Sequence, residues 1–144
     1  MLFVKGRRSI QRGGEEINTA RDNASGEGIL FHHETLDVYR VSLEAATAFC
    51  CSESVSSLSN SVFRRLDELF TSMVLNIAEG NGRFSDADQV RFLGTSHESA
   101  VKVAARLDLC VTQSMLPGDV VAGWKALLER VSVMTASMIA GIQR

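Results

Sequence analysis

From Phe31 onward, apolar residues recur at three- and four-residue intervals, the spacing that lines them along one side of an α-helix. Leu36, Tyr39, Leu43, Ala46 and Cys50 mark the seam of a first helix. The serine-rich stretch Ser52 to Ser61 then interrupts the pattern with hydroxyls that compete for backbone hydrogen bonds, so a loop with an apolar turn at Val55 and Leu58 is predicted. A second helix carries Val62, Leu66, Leu69 or Phe70, Met73 and Ile77 on one side and Arg64, Arg65, Asp67 and Glu68 on the other. The third has a seam through Val90, Leu93, His97, Ala100, Ala104, Leu107 and Val111. Beside it runs a second stripe of Phe92, Ser96, Ser99, Val103, Arg106 and Cys110, where small residues would admit another helix. Pro117 suits the first turn of a fourth helix, whose seam is Val120, Trp124, Leu127, Val131, Met134 and Met138, widened by Val121, Leu128, Val133, Ile139 and Ile142.

Four helices with short connections predict an all-α fold, an antiparallel up-down four-helix bundle over residues 32–144. Residues 1–31 mix charges with glycines and show no periodicity, which predicts a flexible N-terminal arm; its Lys5-Gly6-Arg7-Arg8 start is a candidate phosphate contact or a solvated tail. The third and fourth helices have more apolar width than one bundle core uses, so Phe92, Ser96, Ser99 and Val103 are candidate oligomer contacts.

The second and third helices meet at Asn76-Ile77-Ala78-Glu79-Gly80-Asn81-Gly82-Arg83-Phe84. Gly80 and Gly82 are expected to supply the positive φ of a tight helix end, and Asn76, Glu79 and Arg83 to occupy backbone groups that helix ends leave unpaired. Ser85, with Asp88 three residues on, resembles a capping box, and Asp86 adds negative charge at the helix start.

A length of 144 residues and a single proline fit one helical domain. The formal charge of −2 supplies no overall pull toward nucleic acid, so binding there requires a local patch. Arg83, Arg91 and Arg106 are the candidates, with Asp86, Asp88 and Asp108 close by in sequence. Three cysteines, without C-x-x-C spacing, read as small apolar fillers in a reducing compartment. No signal-peptide run or membrane-length apolar stretch is present, and a cytoplasmic protein with no membrane contact is expected.

Catalytic chemistry is not legible. Di-iron bundles place Glu three residues before His, whereas Ile29, Leu30 and Gly94 precede His32, His33 and His97. His32-His33-Glu34 would point in diverging directions at a helix start. His97 occupies a seam position that suits a hydrogen-bonded core histidine, and Gly94-Thr95-Ser96-His97-Glu98 lacks the last glycine of a nucleophile elbow. Gly80-Asn81-Gly82 follows a helix and lacks the lysine of a phosphate loop. Glu98 and Lys102 are spaced as a surface ion pair. No catalytic residue, metal or cofactor is expected.

The run Asn76–Ser85, with Ser72 before it and Arg91-Phe92 after it, resembles the four-helix bundle proteins encoded by intervening sequences inside 23S rRNA genes. Leu36-Asp37-Val38-Tyr39, Ser99-Ala100 and Leu107-Asp108 are similar to that family as well, over about residues 33–142. The resemblance implies a ring-like homopentamer and association with ribosomal RNA or a ribonucleoprotein. Related bundles serve as accessory proteins to diversity-generating retroelement reverse transcriptases, binding the enzyme and its template RNA, which is the alternative reading. The chain departs from the family with Asp67-Glu68, where many members carry a basic pair, and with Glu98 and Lys102, where a glycine and a glutamate are usual.

Overall fold

The computed structural model describes residues 31–144, so the expected N-terminal arm, apart from Phe31, lies outside the described residues. A 3₁₀ turn over His32–Thr35 leads into helix α1 (Asp37–Cys50). After a second 3₁₀ turn, Glu53–Ser57, come α2 (Asn60–Asn81), α3 (Asp86–Thr112) and α4 (Gly118–Ile142). Each helix packs on the next and α4 returns to α1, so the four stand around one core. Gly80 meets Phe92, Met73 meets Ser96 and Ser72 meets Ser99, a falling-against-rising order that makes α2 and α3 antiparallel.

Phe49 is the hub of the core. It is fully buried, stacks on Phe63 and Phe70 with centroids 5.4 and 4.8 Å away, and takes the edge of Trp124 at 5.5 Å, joining α1, α2 and α4. The seam read for α2 holds, with Leu66, Phe70, Met73 and Ile77 buried. The other three helices are turned by about one residue. In α1 the buried positions are Val38, Val41, Ser42, Ala45 and Phe49, while Leu43 is exposed. In α3, Leu93, Ala100 and Leu107 are shared with the expected seam, but Ser96, Val103 and Cys110 replace His97, Ala104 and Val111. In α4, Trp124 and Val131 of the expected seam are buried together with Val121 and Leu128 from its widened edge, Thr135 is buried where Met134 was expected, and Val133 is 63% exposed. Three-four alternation is satisfied by two neighbouring faces of one helix, and in α1 the bulky Phe49 decides which of them the core takes.

Helix ends also differ from expectation. Neither Gly80 nor Gly82 has positive φ: Gly80 lies inside α2, and Gly82 caps it at φ −85° and ψ 0°. The left-handed residue is Ser114, at φ 57°, after α3. Met115 N–H donates to the Cys110 carbonyl at 2.8 Å and Ser114 N–H to the Val111 carbonyl at 2.9 Å, the paired bonds of a Schellman ending. Ser85 caps α3 as expected, its Oγ accepting from Asp88 N–H at 3.3 Å. Pro117 stands at the cap of α4, one position before the first helical residue.

Gly80 is therefore a close-approach residue: a Cβ there would lie 3.0 Å from Phe92 Cβ, an atom that cannot swing away because it is fixed to the backbone of α3. Added at Gly82, a Cβ would meet nothing nearer than 3.6 Å. Gly80→Val is expected to destabilise the fold by roughly 1–3 kcal/mol through overpacking, and Gly82→Ala to change stability by less than about 1 kcal/mol. Denaturant unfolding compares them, and equal effects would contradict the close seam. Ser114→Gly should raise stability by up to about 1 kcal/mol, since glycine carries no Cβ penalty at positive φ; a lower thermal midpoint would count against the left-handed cap.

Candidate nucleic-acid interface

Arg83 and Arg91 converge on one ring. Their guanidinium carbons lie 4.5 and 4.4 Å from the centroid of half-buried Phe92. Each also has a carboxylate, Glu79 at 3.7 Å from Arg83 and Asp88 at 3.3 Å from Arg91. Stacking and pairing fix both cations at the corner and offset their charge. The corner is closed by Gly82 and Arg83 N–H groups donating to the Glu79 and Gly80 carbonyls, and by Gln89 Nε2 donating to the Arg83 carbonyl at 2.9 Å. Gln89 escaped the sequence reading. Of the residues singled out there, Ile77 fills the core, Ala78 is half-buried, and the Asn76 amide bonds within α2, donating to the Ser72 carbonyl at 2.7 Å and Oγ at 3.2 Å.

Arg106 lies 15 residues beyond Arg91 along α3, roughly 22 Å at 1.5 Å per residue, so the three candidate arginines do not form one patch. Arg106 instead faces a groove of about 970 Å³ between the first half of α2 and the second half of α3. Arg64 and Arg65 line it from α2, and Lys102 and Arg106, one turn apart, from α3. Glu68 is the one acid on its wall, and Leu69, Ala105 and Leu109 are its apolar lining, with Leu109 57% exposed. None of these four cations joins an ion pair among the described residues, and the expected Glu98–Lys102 pair does not form. An acidic chain thus carries one local surface with a net excess of three positive charges, four cations against one acid. The antiparallel register aligns two ordinary polar faces, α2 positions 60, 61, 64, 65 and 68 and α3 positions 102 and 106, which sequence spacing had left on separate helices.

Between the groove and the corner, α2 and α3 are tied by polar groups. Ser96 Oγ donates to the Met73 carbonyl at 2.8 Å, and Ser72 and Ser99 hydroxyls meet at 3.0 Å. Among the candidate oligomer contacts, Ser96, Ser99 and Val103 are thereby buried within the single chain; only Phe92 keeps some surface. Small residues that would admit a foreign helix admit α2 instead. His97 turns to α4, its Nδ1 3.2 Å from the Ser132 carbonyl and 3.3 Å from Thr135 Oγ1. The Ser132 hydroxyl stands 3.3 Å from the same nitrogen, so His97 is held to α4 by three polar neighbours. Among the described residues no three His, Cys, Asp or Glu side chains gather as a metal site, and no helix is long and apolar enough to cross a membrane.

Residues 34–137, most of the chain, match the family model described as 23S rRNA-intervening sequence protein. No curated protein matches the sequence significantly.

The vicinal thiols differ in setting. Cys50 Sγ lies 3.9 Å from Cys51 Sγ, and the Cys50 thiol is pushed up to about 11, first by burial and then by its neighbour Cys51 and the charge of Asp67. Burial also raises Cys110. Since the thiolate is the nucleophile, iodoacetamide at pH 8 should label exposed Cys51 well before Cys50 and Cys110. Peptide mass spectrometry reads the order, and equal labelling of Cys50 and Cys51 would contradict it. Raised thiol values give stability that is complete below the ordinary 9.0 and is lost as pH climbs toward 11.

Proposed function

The chain belongs to the family of 23S rRNA-intervening sequence proteins, and we propose that it is a non-catalytic, cytoplasmic helical-bundle binding module that associates with RNA or a ribonucleoprotein as a ring-like homopentamer. The observation that carries the RNA reading is the α2–α3 groove, where Arg64, Arg65, Lys102 and Arg106 stand without carboxylate partners among the described residues, in a protein of net charge −2. Unpaired surface cations give up little by remaining in water, and they gain when a polyanion releases its counterions. The bundle itself supports a scaffold role: its buried hydroxyls are satisfied within their own helices or by a neighbouring one, with no buried side-chain polar atom left unpartnered among the described residues. Self-association draws support from apolar side chains left outside the core, Leu75 on α2, Val101 on α3 and Val133 on α4.

Size-exclusion light scattering at low and high salt, with absorbance read for bound nucleic acid, tests both halves. The expected particle has five times the 15.7 kDa chain mass and releases RNA as salt rises. Charge reversal of Arg65→Glu with Arg106→Glu should lower affinity for RNA at least tenfold while circular dichroism stays unchanged, because both side chains are exposed. Undiminished binding by the folded double variant would remove the groove from the interface.

A further inference from the structure

Resting on the RNA reading above, we propose that the α2–α3 groove receives one unpaired RNA strand and excludes duplex RNA. The first reason is width. The helices that wall the groove pack directly on one another, in contact just beyond its Leu69–Lys102 end through the Ser72–Ser99 hydroxyl pair at 3.0 Å and the Ser96 to Met73 carbonyl bond at 2.8 Å. Helices packed on one another have axes roughly 8–10 Å apart. A single strand fits between such walls, whereas a duplex, two backbones with paired bases between them, rides on the rims and leaves the floor unused.

The second reason is the order of surfaces across the groove. Arg64 and Arg65 on one wall and Lys102 and Arg106 on the other are exposed cations, and Leu69, Ala105 and Leu109 supply apolar surface between them. A-form duplex shows a protein its phosphates and 2′-hydroxyls and keeps its base faces stacked inside, so an apolar floor has nothing to bury against it. An unpaired strand offers both parts: phosphates to the cations, and splayed base faces to Leu109 and to the guanidinium planes. Asn60 and Ser61, exposed at one end of the groove and making no side-chain hydrogen bond among the described residues, have the donors and acceptors to meet a 2′-hydroxyl. The corner lacks this combination, because Arg83 and Arg91 are already paired with Glu79 and Asp88.

Fluorescence anisotropy on the full chain, with a labelled oligouridine dodecamer and a twelve-base-pair RNA duplex as probes over a salt series, tests the proposal. The oligouridine should bind at least tenfold more tightly than the duplex. Its log affinity should fall against log salt with a slope of about −2 to −3, since each neutralised phosphate on a single strand contributes about −0.7 and up to four cations take part. Leu109→Gln, verified as folded by thermal unfolding, should weaken oligouridine binding several-fold at unchanged slope, and Arg106→Gln should make the slope shallower by about 0.7. Equal or tighter duplex binding, or a Leu109→Gln variant that binds oligouridine like the parent, overturns the single-strand assignment while leaving the RNA reading in place. Displacement of oligouridine by oligoglutamate at equal charge concentration assigns the groove to an acidic protein segment and overturns the assignment as well. If neither RNA binds, the RNA reading falls and takes the assignment with it.

Discussion

The close approach of α2 to α3 is the constraint from which the remaining geometry follows. At Gly80 there is room for a hydrogen and not for a methyl group, because Phe92 Cβ occupies the space. One and two turns farther along, the interface is again made of small groups, Ser96 donating to the Met73 carbonyl and Ser72 meeting Ser99. Each such hydroxyl bond is worth on the order of 1 kcal/mol, less than the apolar burial around it, but leaving any of these groups unpaired in the core would cost more than the bond gains. The polar contacts therefore act chiefly on register: sliding α3 along α2 breaks them together and drives Phe92 into the backbone of α2.

Register is what turns scattered charges into a surface. Arg64 and Arg65 belong to the solvent face of one helix, Lys102 and Arg106 to the solvent face of the next, and only their antiparallel alignment makes them opposite walls of a groove. The corner follows the reverse logic. Arg83 and Arg91 are stacked on Phe92 and held by Glu79 and Asp88, so their charge is used in locking the turn where the seam begins. Basic residues of the corner and of the groove thus differ in use, the first pair structural and the second group unspent among the described residues, and the unspent group is the one with a long-range field to offer an anionic partner.

Helix number, order and connections were legible from the 3.6-residue period, and α2 was legible in register as well, because Arg64, Arg65 and Glu68 mark its wet side. Registers of α1, α3 and α4 were less so. Leu43 and Phe49 lie on neighbouring faces, both flanked by apolar residues at the right intervals, and only the stack with Phe63, Phe70 and Trp124 selects Phe49. Glycines were read for their freedom at positive φ, yet Gly80 serves by lacking a Cβ, and the left-handed cap falls on Ser114. The available signal for that cap was the Cys110 and Met115 pair five residues apart, an apolar contact that accompanies Schellman endings. Sequence proximity groups Arg106 with Arg83 and Arg91 for a similar reason: its neighbours across the groove, Arg64 and Arg65, are more than forty residues away in sequence, and no local spacing reveals them.

Ultraviolet cross-linking of the RNA-loaded particle, followed by mass spectrometry of the cross-linked peptides, tests the central claim most directly. Cross-links concentrated in residues 60–69 and 102–109 are the predicted result, since these stretches form the two walls of the groove. Cross-links concentrated in residues 83–92 or on α4, with both walls unmodified, would contradict it.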